Sequence, residues 1–337
     1  MRDRLIIKEE LNYNKLSGLV RLIRNIIILT ISTEFVGATL LYLYFNNIFP
    51  EKKALFFSIF HSVSAFNNAG FDLFGNSLED YFNSLYINFI LSFLFIFGGL
   101  GFIVILELFS RNISKLSLHS KFVLTITVVL IIVGTISLFI LESDNPLTLG
   151  KLSLKNKLLA AFFQAVTPRT AGFNTIKISY FKDVSLFILI ILMFIGASPA
   201  STGGGIKTTT IGTLLMLVYN VSLGKEDIEL YNRRLSQKII YKALTVVVIS
   251  IFVISMVTIV LTITENFSFI QILFEVFSAF ATVGLSTGIT PKLSSLGKIF
   301  IIITMFIGRV GPFTIAIAVA NRRHENIRFP EEDILIG

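Results

Sequence analysis

The stretch FHSVSAFNNAGF, Phe60 to Phe71, ends in a glycine set just after a short apolar run, and the chain repeats the device twice. FQAVTPRTAGF runs from Phe163 to Phe173, and FEVFSAFATVGL from Phe274 to Leu285. Gly70, Gly172 and Gly284 lie 102 and 112 residues apart. The apolar runs before them cover roughly 54 to 66, 158 to 168 and 269 to 280. About a dozen helical residues rise only about 18 Å, little more than half the hydrocarbon core of a bilayer. Such a helix has to enter, stop at its glycine and leave on the side it came from.

Longer apolar segments flank these short ones. Six are long enough to span as helices, at roughly 20 to 45, 83 to 106, 122 to 141, 184 to 218, 239 to 263 and 297 to 320. With 54% hydrophobic and 15% charged residues and a mean hydropathy of +0.80, much of this 337-residue chain has lipid as its solvent. The fold class read from the sequence is therefore an all-α membrane protein. Span, half-span with glycine, span occurs three times, giving six transmembrane helices and three re-entrant half-helices around part of a pseudo-fourfold pore.

Composition also excludes function classes. Cysteine is absent, and the three histidines, His61, His119 and His324, are far apart in sequence, so thiolate chemistry and a histidine metal centre are not expected. A membrane enzyme would need clustered acid, base or nucleophile residues, and none stands out. The formal charge of +8 sits at the ends of apolar spans, which is a topology signal and not a nucleic-acid footprint. Seventeen of the 29 Lys and Arg fall in the N-terminal segment, the alternate gaps between spans and the C-terminal segment; nine flank the half-spans. That excess predicts both termini in the cytoplasm of a multi-pass protein in the cell membrane, with the half-helices dipping in from outside. Arg169, Lys207 and Arg309 fall inside membrane segments and need separate roles.

At each glycine a small or polar pair comes first: Asn68-Ala69-Gly70, Thr170-Ala171-Gly172 and Thr282-Val283-Gly284. Glycine opens backbone angles closed to other residues and lets carbonyl oxygens turn toward one axis, where they can replace the hydration shell of a monovalent cation. A single glycine of this kind would be read as close helix packing. Three in register with matching flanks read as a filter. The fourth span holds ASPASTGGGIKTTT, Ala197 to Thr210. Ser198, Pro199, Ser201, Thr202, Gly203, Gly204, Gly205 and Lys207 in it suit an unwound segment lining a cavity, a flexible gate below the second loop, with a plain helix kink as the alternative. Phosphate cradling is excluded because the run lacks the G-x-x-x-x-G-K-[ST] spacing. Arg309, in FIGRVGPF, either lines the pore and lowers cation occupancy below the filter, or pairs with an intramembrane acid such as Glu34, Glu107 or Glu275.

HSVSAFNNAGF, FQAVTPRTAGFN, MFIGASPASTGGGIKTTT, MFIGRVGPFT and NIRFP together resemble the Ktr/Trk/HKT potassium transporter superfamily, in particular its bacterial KtrB-type membrane subunits. The resemblance runs from near residue 1 to Gly337. It implies potassium filter residues at 68–70, 170–172 and 282–284, a gating loop at about Ala197 to Lys207 and a pore arginine at Arg309. It also implies potassium as the transported ion, sodium as a coupling or activating ion, a homodimer, and a cytosolic nucleotide-binding ring of the KtrA kind as partner. That family has four membrane-pore-membrane repeats. Here residues 1–115, 116–225 and 226–320 correspond to its second, third and fourth, with 321–337 as a cytoplasmic tail. The first repeat has no counterpart, and Met1 to Arg4 resembles a linker between repeats. The expectation is a fragment, an interrupted gene or a split protein, with a non-conducting piece that needs a separately encoded first repeat as the alternative function. The sodium or potassium preference associated with the first filter position is not readable from this chain.

Overall fold

The computed structural model describes residues 19–110, 116–225, 227–311 and 314. The expected tail at 321–337 and the basic residues before Leu19 lie outside the described residues. Helix α1 (Leu19–Phe45) is followed by the half-helix α2 (Glu51–Phe66), a 3₁₀ turn at Glu79–Tyr81, and the pair α3 (Leu85–Leu100) and α4 (Phe102–Leu108). The same order returns as α5 (Leu118–Glu142), α6 (Leu154–Val166), a 3₁₀ turn at Ile178–Tyr180, α7 (Asp183–Phe194) and α8 (Thr208–Ser222). It returns again as α9 (Gln237–Thr264), α10 (Phe269–Phe280), a 3₁₀ turn at Thr290–Lys292 and α11 (Ser295–Val310).

Helices α1, α5 and α9 run 27, 25 and 28 residues, enough to cross the hydrocarbon core. The half-helices α2, α6 and α10 have 16, 13 and 12 residues, which agrees with the short apolar runs. The second member of each unit is interrupted, as the sequence predicts for the second unit but not for the first and third. The segment at 83 to 106 is two helices bent by 108° at Gly101. The segment at 184 to 218 is α7 and α8 with an irregular loop between them. The last helix stops at Val310, before Gly311. Among the described residues, three helices are long and apolar enough to span, or four if the bent pair counts as one.

The breaks have a common backbone cause. Gly101 and Gly311 both adopt φ 94°, with ψ 136° and 129°, angles that end a helix and that side-chain-bearing residues rarely adopt. A kink frees backbone groups that lipid cannot satisfy. Here the neighbouring loop supplies partners. The Thr202 and Ser198 N–H groups donate to the carbonyls of Gly98 and Gly99 at 3.2 and 3.0 Å, and Phe102 N–H donates to the Ala200 carbonyl at 2.8 Å. Three residues before each break, Gly98 and Gly308 lie so close to the ends of α2 and α10 that a methyl group would overlap the carbonyls of Phe66 and Phe280.

The core is built at the junctions between units. Phe163, Val166, Ala171 and Phe173 of the second unit pack with Leu41, Phe45, Phe66 and Phe95 of the first. Phe274, Ala281, Val283 and Leu285 of the third pack with Leu138, Ala165 and Leu189 of the second. Lipid-facing positions such as Phe35, Val129, Ile140 and Phe252 stay exposed. Since lipid is as apolar as these side chains, close packing and internal hydrogen bonds carry the association. Two such bonds recur where the first helix of a unit ends. Glu142 accepts from the Lys182 N–H at 3.0 Å, and Glu265 accepts from the Ser294 N–H at 3.0 Å, tying each first helix to the start of α7 and α11. Between α8 and α9 a small hairpin, β1 (Glu229–Leu230) and β2 (Arg233–Arg234), turns on Tyr231 and Asn232, both at positive φ.

Candidate functional site

Each half-helix ends at mid-structure and hands the chain to a loop with one repeated backbone pattern. Asn68, Thr170 and Thr282 have φ of 52°, 74° and 54°, and Gly70, Gly172 and Gly284 have 71°, 80° and 88°. Positive φ at every second residue turns successive carbonyls to the same side. For Asn68 and the two threonines this is a sparsely populated state, costing on the order of 1–2 kcal/mol each, and the surroundings have to hold it. The holding bonds also repeat: Ala69 N–H to Ser64 O at 2.8 Å, Ala171 N–H to Thr167 O at 3.0 Å and Val283 N–H to Ser278 O at 2.9 Å. Hydroxyls fasten the far sides, Ser64 Oγ to Phe71 O at 2.8 Å and Thr167 Oγ1 to Phe173 O at 2.5 Å.

The three loops meet. A Cβ added to Gly70 would sit 2.8 Å from the Ala171 carbonyl oxygen, and one on Gly172 would overlap the Val283 carbonyl oxygen. Gly70 and Gly172 thus each face the main chain of the next loop in sequence order. Among the described residues the corresponding approach of Gly284 is only to Gly172 Cα at 3.9 Å, which leaves that corner open on its other side.

Directly against these loops lies the segment between α7 and α8. A parallel bridge between Ile195 and Ile206 and a bond from Ala197 N–H to Gly204 O at 3.3 Å pinch it into a tight loop. Its residues touch the three glycine loops in turn. Thr202 Oγ1 accepts from Asn68 Nδ2 at 2.9 Å and donates to Phe66 O at 3.2 Å. A methyl group on Gly203 would overlap Thr170 Oγ1, one on Gly204 would overlap Thr282 Oγ1, and Gly205 lies against Ala281. At 203 and 204 only a residue without a side chain fits. Ser198, Pro199 and Ser201 form its other limb, with Ser201 Oγ donating to Ser198 O at 2.6 Å and Thr208 Oγ1 donating to Ser198 Oγ at 3.0 Å.

Residues 2–327 match the family described as TrkH: Cation transport protein. The chain is 41% identical over 338 residues to the Ktr system potassium uptake protein B of Bacillus subtilis, covering 100% of this chain and 76% of that protein. It is 41% identical to the potassium/sodium uptake protein NtpJ of Enterococcus hirae, covering 99% of this chain and 76% of that protein. The crystal structure of the potassium transporter TrkH from Vibrio parahaemolyticus has the same fold, with a TM-score of 0.76 at 19% identity over 94% of this chain and 68% of that one. The chain belongs to the TrkH family of cation transport proteins.

Members of this family are integral membrane ion transporters, not enzymes. In this TrkH-family chain two cations hold the pinched loop. Lys207 Nζ donates to Gly203 O at 2.8 Å, and Arg309 Nη1, at the end of α11, donates to Thr202 O at 2.6 Å. The acids considered as partners for Arg309 are engaged elsewhere: Glu34 with Asn67, Glu107 with the Ser117 N–H, and Glu275 behind the third loop. Arg169 is 5% exposed and donates through Nη2 to Thr127 Oγ1 at 3.2 Å; its Nε and Nη1 have no hydrogen-bond partner among the described residues.

The three candidate filter triplets and the residues named from the sequence between Ser198 and Lys207 therefore come together, with Arg309 beside them. Sequence reasoning missed Gly98, Gly101, Gly308 and Gly311. A signal was there, in the parallel between FGGLG (Phe97 to Gly101) and FIGRVG (Phe306 to Gly311), each placing two glycines three apart in the last span of its unit.

Proposed function

We propose that this chain is the ion-conducting part of a potassium uptake system. Main-chain carbonyls at 68–70, 170–172 and 282–284 coordinate the dehydrated ion, and the loop from Ala197 to Lys207 is the gate beneath them. The observation that carries the reading is the meeting of three loops with the same left-handed residue, residue, left-handed glycine backbone. Carbonyl rings of this kind substitute for water around a monovalent cation. The potassium uptake proteins named above support potassium as the ion, and the name of NtpJ supports sodium as a second one. In this reading residues 1–115, 116–225 and 226–320 are three membrane-pore-membrane repeats of a pseudo-fourfold pore. Both termini are cytoplasmic, two copies associate, and a cytosolic nucleotide-binding ring regulates the gate.

The test is rubidium uptake into proteoliposomes carrying the purified full chain, competed by potassium or sodium. Uptake blocked by potassium at concentrations where sodium has no effect is expected. Uptake that both ions block equally would overturn the filter assignment.

The open corner beside Gly284 favours a second reading, in which the chain conducts only when another polypeptide supplies a fourth filter hairpin. Potassium-selective uptake by the chain alone would sink that alternative. Uptake that appears only after co-expression with such a hairpin would establish it.

A further inference from the structure

Behind each candidate filter loop, one polar side chain of the half-helix reaches the segment that leaves the loop, and it does so at one fixed offset. His61 Nε2 accepts from the Leu73 N–H at 3.3 Å. The N–H groups of Thr175 and Ile176 converge on one end of the Gln164 amide, so the oxygen lies there and accepts them at 3.1 and 3.2 Å. Glu275 Oε1 accepts from the Thr287 N–H at 3.1 Å. In all three the acceptor at i takes the N–H of residue i+12. His61, Gln164 and Glu275 are 0%, 1% and 5% exposed, so no water competes for these bonds. Three different residue types perform one task, each as the second residue of its repeated stretch, after Phe60, Phe163 and Phe274.

Two of the acceptors are themselves oriented. His61 Nδ1 faces the Phe57 carbonyl at 2.7 Å. Since Leu73 N–H must donate to Nε2, the proton sits on Nδ1 and the imidazole is neutral. Its ring stacks on Phe74, with centroids 4.5 Å apart and planes 18° apart. Around Glu275 every neighbour is a donor: Ser286 Oγ to Oε1, Thr290 Oγ1 to Oε2 at 2.8 Å, and the Thr287 N–H. Three bonds from one carboxylate clamp residues 286 to 290 onto α10.

We infer that His61, Gln164 and Glu275 are the positioning residues of the three filter loops: each pins the exit segment of its loop to the half-helix behind it and so sets how closely the carbonyls can approach the ion. This rests on the filter reading above. Selectivity between potassium and sodium depends on the number and spacing of those carbonyls, so a loop whose outer limb is unpinned can shrink onto the smaller ion. Removing the acceptor leaves a buried N–H without a partner, a cost large enough to move a loop held in a sparsely populated backbone state.

The experiment is equilibrium rubidium binding to the purified full chain in lipid nanodiscs, competed by potassium and by sodium. It compares the unaltered protein with Glu275→Leu, Glu275→Gln, His61→Leu and His61→Gln. The leucine variants are expected to lose about tenfold or more of the potassium preference, and the glutamine variants, which keep an oxygen for the N–H, to retain most of it. A merely structural role would not be rescued in this way. Should Glu275→Leu fail to assemble, Ser286→Ala with Thr290→Val strips two donors from the exit segment and is expected to shift preference in the same direction. An unaltered protein that prefers potassium beside folded variants with the same preference overturns the inference alone. An unaltered protein that does not distinguish the two ions overturns the filter reading and this inference with it.

Discussion

Arg309 donates to the main-chain carbonyl of Thr202 at 2.6 Å, and so joins the end of the last described helix to the loop that lies against all three glycine loops. Thr202 takes part in four contacts at once, with Gly98 O, Phe66 O, Asn68 Nδ2 and Arg309. A loop of the second unit is thus held at one point by groups from the first and third. Release of any one holder weakens the hold.

Arg309→Gln is therefore expected to raise the rate of rubidium uptake in proteoliposomes, because a charged donor to a carbonyl is worth about 1.5–3 kcal/mol and a neutral one about half that. Assembly, read by gel filtration, is expected to stay unchanged. An uptake rate equal to that of the unaltered protein would show that the Thr202 contact does not limit opening.

Glycine substitutions should separate into two kinds. Gly308→Ala drives a methyl group into the Phe280 carbonyl, where neither helix can give way, so little folded protein is expected. At Gly288 an added Cβ meets nothing within 4 Å and only φ of 91° opposes it. Gly288→Ala should cost on the order of 1–2 kcal/mol and leave assembly intact, as read by thermal unfolding in detergent. Equal losses at the two sites would contradict the packing at Gly308.

Thr202→Val keeps the shape of the side chain at the centre of the proposed gate while removing its hydroxyl from Asn68 and Phe66. The buried Asn68 amide then loses a partner, at about 1–3 kcal/mol. Faster uptake with a lowered unfolding temperature is the expected pair of results. A change in neither would remove Thr202 from the gate.

Glu265, just beyond the end of α9, accepts from the Ser294 hydroxyl and from the Ser294 N–H, and these bonds hold its carboxyl below the usual carboxylate range. A group whose pKa is lowered by folding binds its proton more readily when unfolded. Its contribution is complete at neutral pH and starts to fade as pH falls past about 4.3, the ordinary glutamate value; it is gone below the folded value. The unfolding temperature should drop across that acid window, and Glu265→Gln should reduce the drop. Identical pH profiles for both proteins would mean the bonds carry no net stability.

Much of the fold was legible because membrane physics leaves few choices. The lengths of α2, α6 and α10 could be read from runs too short to span, and the loop positions from three glycines in register. The kink at Gly101 was not legible, because a glycine inside an apolar span is also compatible with close packing. It becomes a break only when Ser198, Ala200 and Thr202, about a hundred residues away, supply partners for the freed backbone groups. The same holds for His61, Gln164 and Glu275. They hold the same place in the three repeated stretches, but a histidine, an amide and an acid there do not announce a common role, which is a hydrogen bond to a backbone N–H visible only in the folded loop.

Composition and spacing by themselves determined that lipid is the solvent, that three half-helices enter and stop, and that an unwound segment interrupts the span after the second. Those follow from segment length and from the cost of unpaired backbone in hydrocarbon. Tertiary structure alone decided that Thr202, Gly203 and Gly204 meet the first, second and third loops in that order, and that Arg309 grips the result. Hydrogen bonds reach about 3 Å, so which distant groups meet is set by how the units pack and not by their place along the chain.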